Sequence, residues 1–210
     1  DTRPKPSRPL ERPAYQGANP ISDIWALRAL EMVNEFLPRA VADGTDEEAR
    51  SQMLLAASFA GIGFGNAGVH LPHGMSYPVA GMVRSYQPVG YSVDHPLVPH
   101  GISVILHTPA VVRFSAPALP ERHLRAASSL GADLSDVGPQ DAGEILAQRV
   151  IRLMQELKMP NGLSSVGYGE GDIPALVAGT MPQHRVTKLS PVPAGPSELT
   201  DLFRNSMAIW

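Results

Sequence analysis

Apolar residues recur at helical spacing along most of this chain, and that period, broken by caps and turn residues, limits the folds open to it. From Gln140 to Leu157, the residues Ala142, Ile145, Leu146, Val150, Leu153, Met154 and Leu157 follow the i, i+3, i+4 rule, and Pro160-Asn161-Gly162 stops the run. Asn19-Pro20 is a helix start, an Asn cap before a proline at the first helical position. Ile24, Leu27, Leu30, Val33 and Leu37 then share one face, which predicts a helix to about Arg39. Thr45 and Glu48 have capping-box spacing and predict a second helix carrying Ala49, Met53, Ala56, Ala57 and Ala60. Shorter helices are predicted from Pro120 to Leu130 with Gly131 as the stop, from Ile173 to Ala178 with Gly179 as the stop, and from Ser197 to Ile209. Gly101 to Phe114 suits a strand as well as a buried helix, because Ile102, Val104, Ile105, Val111 and Val112 have no decisive period. Elsewhere no alternating run is flanked by hairpin turns, so the predicted class is all-α, a helical bundle.

At 210 residues and 43% hydrophobic content, the chain can fill one core. The division read from the sequence is a Pro-rich loop or linker over 1–19, where Pro4, Pro6, Pro9 and Pro13 cluster, and an all-helical domain over 20–210. A start at Asp1 among prolines suggests a piece cut from a longer polypeptide, with a processed terminus as the other reading. The net charge of -3 offers no basic footprint for nucleic acid, and no apolar run reaches the roughly 18 residues of a membrane span. The absence of cysteine excludes disulfides and thiolate metal sites, and it fits a reducing compartment. The expected location is cytoplasmic, or mitochondrial in a eukaryote.

The candidate chemistry lies between Ser58 and Gly101. Gly63-Phe64-Gly65-Asn66-Ala67-Gly68 has the letters of the GxGxxG dinucleotide fingerprint, but a helix, not a strand, is predicted before it, and no acidic residue follows at the expected distance. These glycines are read as small residues that let helices or a ligand approach. His70, His73 and Tyr77, spaced i, i+3, i+7, would line one helix face. His73-Gly74 and His100-Gly101 are two His-Gly steps where backbone can approach a ligand. Imidazole is a common metal ligand, yet two of them do not complete a site, which normally takes three or more protein ligands. Asp94-His95 reverses the order of the His-Asp pair of metal phosphohydrolases, and His107, His123 and His184 are read as surface or cap residues.

Taken together, AGIGFGNAGVHLPHGMSYPVAG, DHPLVPHG, NPISDIWALRAL, PERHLRAASSLGAD, DIPALV and RVTKL resemble the iron-containing (group III) alcohol dehydrogenases, and within them the hydroxyacid-oxoacid transhydrogenase branch. The resemblance runs from about Pro13 to the C-terminus. It implies the helical C-terminal domain of the dehydroquinate synthase-like fold, an N-terminal nucleotide-binding domain of the same protein outside this chain, and an active site in the cleft between them. It implies Fe2+, or Zn2+, held by one aspartate and three histidines, of which two match His73 and His100. The remaining pair is expected upstream of Asp1 in a D-x-x-x-H helix, a word that these 210 residues lack. Tyr77 stands where many members carry a further histidine near the nicotinamide, which makes it the expected catalytic side chain in its place. His70, Gly74 and Tyr77 are the positions implied on the NAD side. The substrates implied are a small hydroxy acid and oxo acid, with 4-hydroxybutyrate oxidised and 2-oxoglutarate reduced, and homo-oligomer formation stays open. A helical interaction or structural domain without chemistry is the alternative for a chain holding only half of such a site.

Overall fold

The computed structural model describes Tyr15 and residues 17–210, and among these residues it is all helical, with no strand. Most of the linker assigned to 1–19 therefore lies outside the described residues. Helix α1 spans Pro20–Ala42 and α2 spans Glu47–Ala67. The Asn19 side chain accepts from the Ser22 amide at 3.0 Å, as the cap predicted. The helix continues past Arg39 to Ala42, with Pro38 inside it.

Two local readings need correction. The cap of α2 is Asp46, not Thr45: its carboxylate accepts from the Ala49 amide at 2.9 Å, while the Thr45 hydroxyl donates to Asp43. A charged acceptor one residue nearer the helix makes the stronger bond. The buried face of α1 also differs from the predicted stripe. Ile24 is 67% exposed, whereas Ala29 is buried and Met32 and Phe36 are buried with Ala49 and Ala56 of α2. Leu30 and Val33 turn instead toward the main core. The helix thus serves two apolar neighbours, a demand that a single 3.6-residue period does not reveal.

The main core is built around α3 (Leu71–Gly81), whose Leu71, Met75 and Val79 are fully buried. The ambiguous stretch is resolved as two helices, α4 (His100–Ile105) and α5 (Thr108–Ser115), followed by α6 (Pro120–Ser129) and α7 (Ala142–Glu156). The chain closes with α8 (Ile173–Thr180), α9 (His184–Thr187) and α10 (Pro196–Arg204). Gly179 does not stop α8 but lies within it, because a Cβ there would sit 2.7 Å from the Pro78 Cβ of α3. The glycine sets a close helix crossing.

The literal GxGxxG forms the last turn of α2, with Gly68 as its cap at φ 83, and α3 leaves that corner at 108°. A left-handed residue is needed to turn the chain here, which is the physical reason for a glycine. No single helix among the described residues is long and apolar enough to cross a membrane. An apolar groove of about 620 Å³, lined by Leu30, Val33, Ile105, Val112, Val150 and Leu153 among others, reaches Gly101 at the start of α4.

Candidate metal centre

His73 lies in the first turn of α3 and His100 is the first residue of α4, so the two come from elements separated by a long excursion of the chain. That excursion is pinned at both ends. The Tyr168 hydroxyl donates to the Val79 carbonyl at 2.6 Å, and Arg84 forks onto Asp172 with two bonds of 2.8 Å while covering the Tyr168 ring. On the return, the Leu97 amide donates to the Tyr86 carbonyl at 2.8 Å and Val98 is 1% exposed, which fixes the approach to Pro99 and His100.

The rings of His73 and His100 end with centroids 5.3 Å apart in an edge arrangement, and Tyr77, one turn along α3, lies nearly parallel to His100 at 6.3 Å. Bonds of about 2.1 Å from two imidazole nitrogens to one tetrahedral ion would place the rings roughly 5 Å apart, so the separation suits a shared ligand. Burial, and then the nearness of His100, push the pKa of His73 below the ordinary histidine value. A neutral ring at physiological pH keeps the lone pair that a metal needs. No group of three or more His, Cys, Asp or Glu side chains that could hold a metal ion gathers among the described residues.

The histidines are held by two serines that sequence reasoning overlooked. Ser76 donates to the carbonyl of His73 and Ser103 to the carbonyl of His100, each at 2.8 Å, and both serines are fully buried. The signal was available, since His-Gly-x-Ser occurs twice, at 73–76 and 100–103. Each hydroxyl ties down the backbone from which an imidazole projects.

Gly74 has a different reason to be glycine from the one expected. A Cβ there would lie 2.6 Å from Cγ2 of Thr187 in α9, so the position is set by helix packing within the domain and faces no open space. Gly101, by contrast, is exposed beside His100, and a Cβ added to it would meet no atom within 4 Å. Gly74→Ala should lower the stability of the domain by about 1–3 kcal/mol, and adding Thr187→Ser, which deletes the offending methyl, should recover most of it. A double-mutant cycle by thermal melting checks this, and strict additivity would refute the contact.

Of the other histidines, His184 is exposed as predicted, but His107 is not a surface residue: it is fully buried, its ring meets Phe203 edge-on at 5.3 Å, and neither ring nitrogen has a partner. Burial lowers its pKa to about 3. His123 is half-buried and bonded, with Nδ1 2.9 Å from the Leu119 carbonyl and Nε2 3.0 Å from the Ser115 hydroxyl. His70, the residue before α3, is largely buried with its Nδ1 unpartnered, and burial first, then His123 and His73, lower its pKa to about 4.

Residues 11–207 match the model of the Fe-containing alcohol dehydrogenase family, C-terminal. The chain belongs to that family. It is 56% identical over 207 residues to the mitochondrial hydroxyacid-oxoacid transhydrogenase of Homo sapiens, a match covering 99% of this chain and 44% of that protein. Among solved structures it resembles 1,3-propanediol oxidoreductase, with a TM-score of 0.80 and 26% identity over 91% of this chain and 46% of that one. It also resembles sulfoacetaldehyde reductase from Bifidobacterium kashiwanohense in complex with NAD+, with a TM-score of 0.72 and 25% identity over 92% of this chain and 46% of that one. The chain therefore spans about half the length of the family members it matches, and its match is to their C-terminal part.

Proposed function

We propose that residues 20–210 form the metal-binding helical domain of an NAD-dependent oxidoreductase of the hydroxyacid-oxoacid transhydrogenase type, with the pairing of His73 and His100 as the observation that carries the reading. The two imidazoles fit two positions of an Fe2+ or Zn2+ site, and the N-terminal domain of the same protein would supply the rest together with the nucleotide site. When bound, such a metal is a Lewis acid toward a substrate oxygen. The protein's own part is positional. His73 and His100 present fixed ring nitrogens from two helix starts, Ser76 and Ser103 hold those starts in place, and the Tyr77 hydroxyl beside them can donate a hydrogen bond on the nicotinamide side.

The reaction implied is oxidation of 4-hydroxybutyrate to succinate semialdehyde coupled to reduction of 2-oxoglutarate, in which NAD, when bound, would carry the hydride from one to the other and the proton given up by the first hydroxyl would be balanced by the one taken up at the second. The apolar groove that reaches Gly101 offers the N-terminal portion a surface next to His100. In a eukaryote the expected location is mitochondrial, the compartment in the name of the human relative. The test uses the full-length protein and substrate deuterated at the carbinol carbon. Deuterium should appear in the reduced 2-oxoglutarate product. Metal-loaded, NAD-bound protein that moves no deuterium would sink this reading.

A further inference from the structure

The apolar groove that reaches Gly101 has two helical walls. Helix α1 contributes Leu30, Val33, Leu37 and Val41, spaced i, i+3, i+7 and i+11, and α7 with its cap contributes Leu146, Val150, Leu153 and Leu157, again at helical spacing. Each stripe spans 11 steps of the chain, or about 16 Å of helix. Much of this surface is open: Val41 is 58% exposed, and Leu30, Val33, Leu37, Leu153 and Leu157 are only half-buried. A contiguous apolar surface left open on this scale marks a binding site. Thr108 is the only lining residue with a polar side chain, and its hydroxyl is committed to the Val104 carbonyl at 3.2 Å. An occupant therefore finds no side chain with which to pair its backbone. A loop or strand laid here would bury unpaired N–H and C=O groups, whereas a helix satisfies its own.

We propose that the groove is the seat of an amphipathic helix of about three turns from the part of the full-length protein upstream of Asp1. The proposal rests on the reading above in one respect, that the protein continues upstream as its relatives do. The chain spans about half the length of the family members it matches, and the match is to their C-terminal part, which leaves a long upstream stretch to draw on. Residues 1–14 cannot supply the helix. They hold four prolines and six charged residues, and Leu10 is their only Leu, Ile, Val, Met or aromatic residue. The place of the groove favours an upstream segment over a second copy of the chain. The groove reaches Gly101 beside His100, and a Cβ on Gly101 would meet no atom within 4 Å, so the segment that fills the groove can also pass close to the incomplete histidine pair. A segment of the same chain, moreover, meets the groove at an effective concentration on the order of millimolar.

The experiment places the photo-cross-linker p-benzoylphenylalanine at Val41 or at Leu157, one on each wall of the groove, in the full-length protein, with the exposed Ile24 as the position on α1 outside it. A mixture of isotope-light and isotope-heavy copies is irradiated and digested, and the joined peptides are identified by mass spectrometry. Both groove positions should capture the same upstream peptide from their own copy, with apolar residues at helical spacing, and Ile24 should not capture it. Capture of a light–heavy pair, of residues 1–14, of a bound lipid or of nothing, or the same capture from Ile24, would overturn the proposal. Hydrogen exchange of the captured peptide reads its conformation: a continuous run of slowed amides is expected, and an alternating pattern or no slowing would reject a helix. Leu37→Glu puts a charge into the groove and keeps a good helix former in α1. It should speed exchange of the upstream peptide tenfold or more, whereas Ile24→Glu should leave it unchanged; equal exchange in Leu37→Glu and wild type would also overturn the docking. Neither measurement needs turnover. Inactive protein that gives the cross-link loses the oxidoreductase reading and keeps the docked helix, and active protein that lacks it does the reverse.

Discussion

In the full-length protein, His100→Ala should leave the site without stable metal and lower hydroxy-acid turnover by about a thousandfold or more, the scale set by several kcal/mol of Lewis-acid stabilisation. The size follows from the geometry. His100 is one of the two imidazoles of the pair, its ring lies 5.3 Å from that of His73, and the described residues include no group of three or more His, Cys, Asp or Glu side chains that could hold a metal ion. It also sits on a short helix whose first turn is tied by Ser103 to its own carbonyl, so truncation removes the ligand while leaving α4 in place. Tyr77→Phe is the useful comparison, since it keeps the ring stacked on His100 and removes only the hydroxyl. That variant should retain its metal and lose about tenfold in turnover, the worth of one hydrogen bond. Metal content by mass spectrometry, measured beside turnover, separates the cases. His100→Ala protein that keeps a full complement of metal would remove His100 from the site.

The second large effect is on acid stability. His107 is fully buried against Phe203 with its pKa lowered to about 3, and His70 is lowered to about 4, both chiefly by burial. In the unfolded chain each titrates near the ordinary value of about 6.5. Below that pH the unfolded state binds protons that the folded state refuses. Stability is therefore full above about pH 6.5 and is lost as the pH falls toward the folded values. Each such proton costs about 1.4 kcal/mol per pH unit, so the pair should cost nearly 3 kcal/mol per unit between about pH 6 and 4, a large part of an ordinary folding free energy.

His107→Leu should halve that slope. It should also be neutral or stabilising by about 1 kcal/mol at pH 7, because it removes two unpaired ring nitrogens and keeps an apolar contact with Phe203. Urea unfolding of metal-free full-length protein at pH 7, 6 and 5, followed by circular dichroism, measures both effects. An unchanged slope in His107→Leu would show that the ring gains a proton in the folded state with little penalty.

Much of the secondary structure was written in neighbouring residues. Asn19-Pro20 begins α1, the i, i+3, i+4 run to Leu157 contains α7, and the capped run before Gly63 already marked the GxGxxG letters as a helix end. The His73 and His100 pair was legible through its paired His-Gly words and the family likeness, and the serines repeating behind them could have been read as well. These features are local, and i to i+4 relations are fixed by residues that stand next to one another in the chain. Tertiary structure alone decided the rest: that Ile24 faces out while Met32 faces in, that Gly74 and Gly179 make room for Thr187 and Pro78, and that 101–114 forms two helices. It also separated His107, sealed beneath Phe203, from His184, left in solvent. Burial depends on which distant segment arrives to cover a side chain, and for His107 that segment comes from a helix almost a hundred positions downstream.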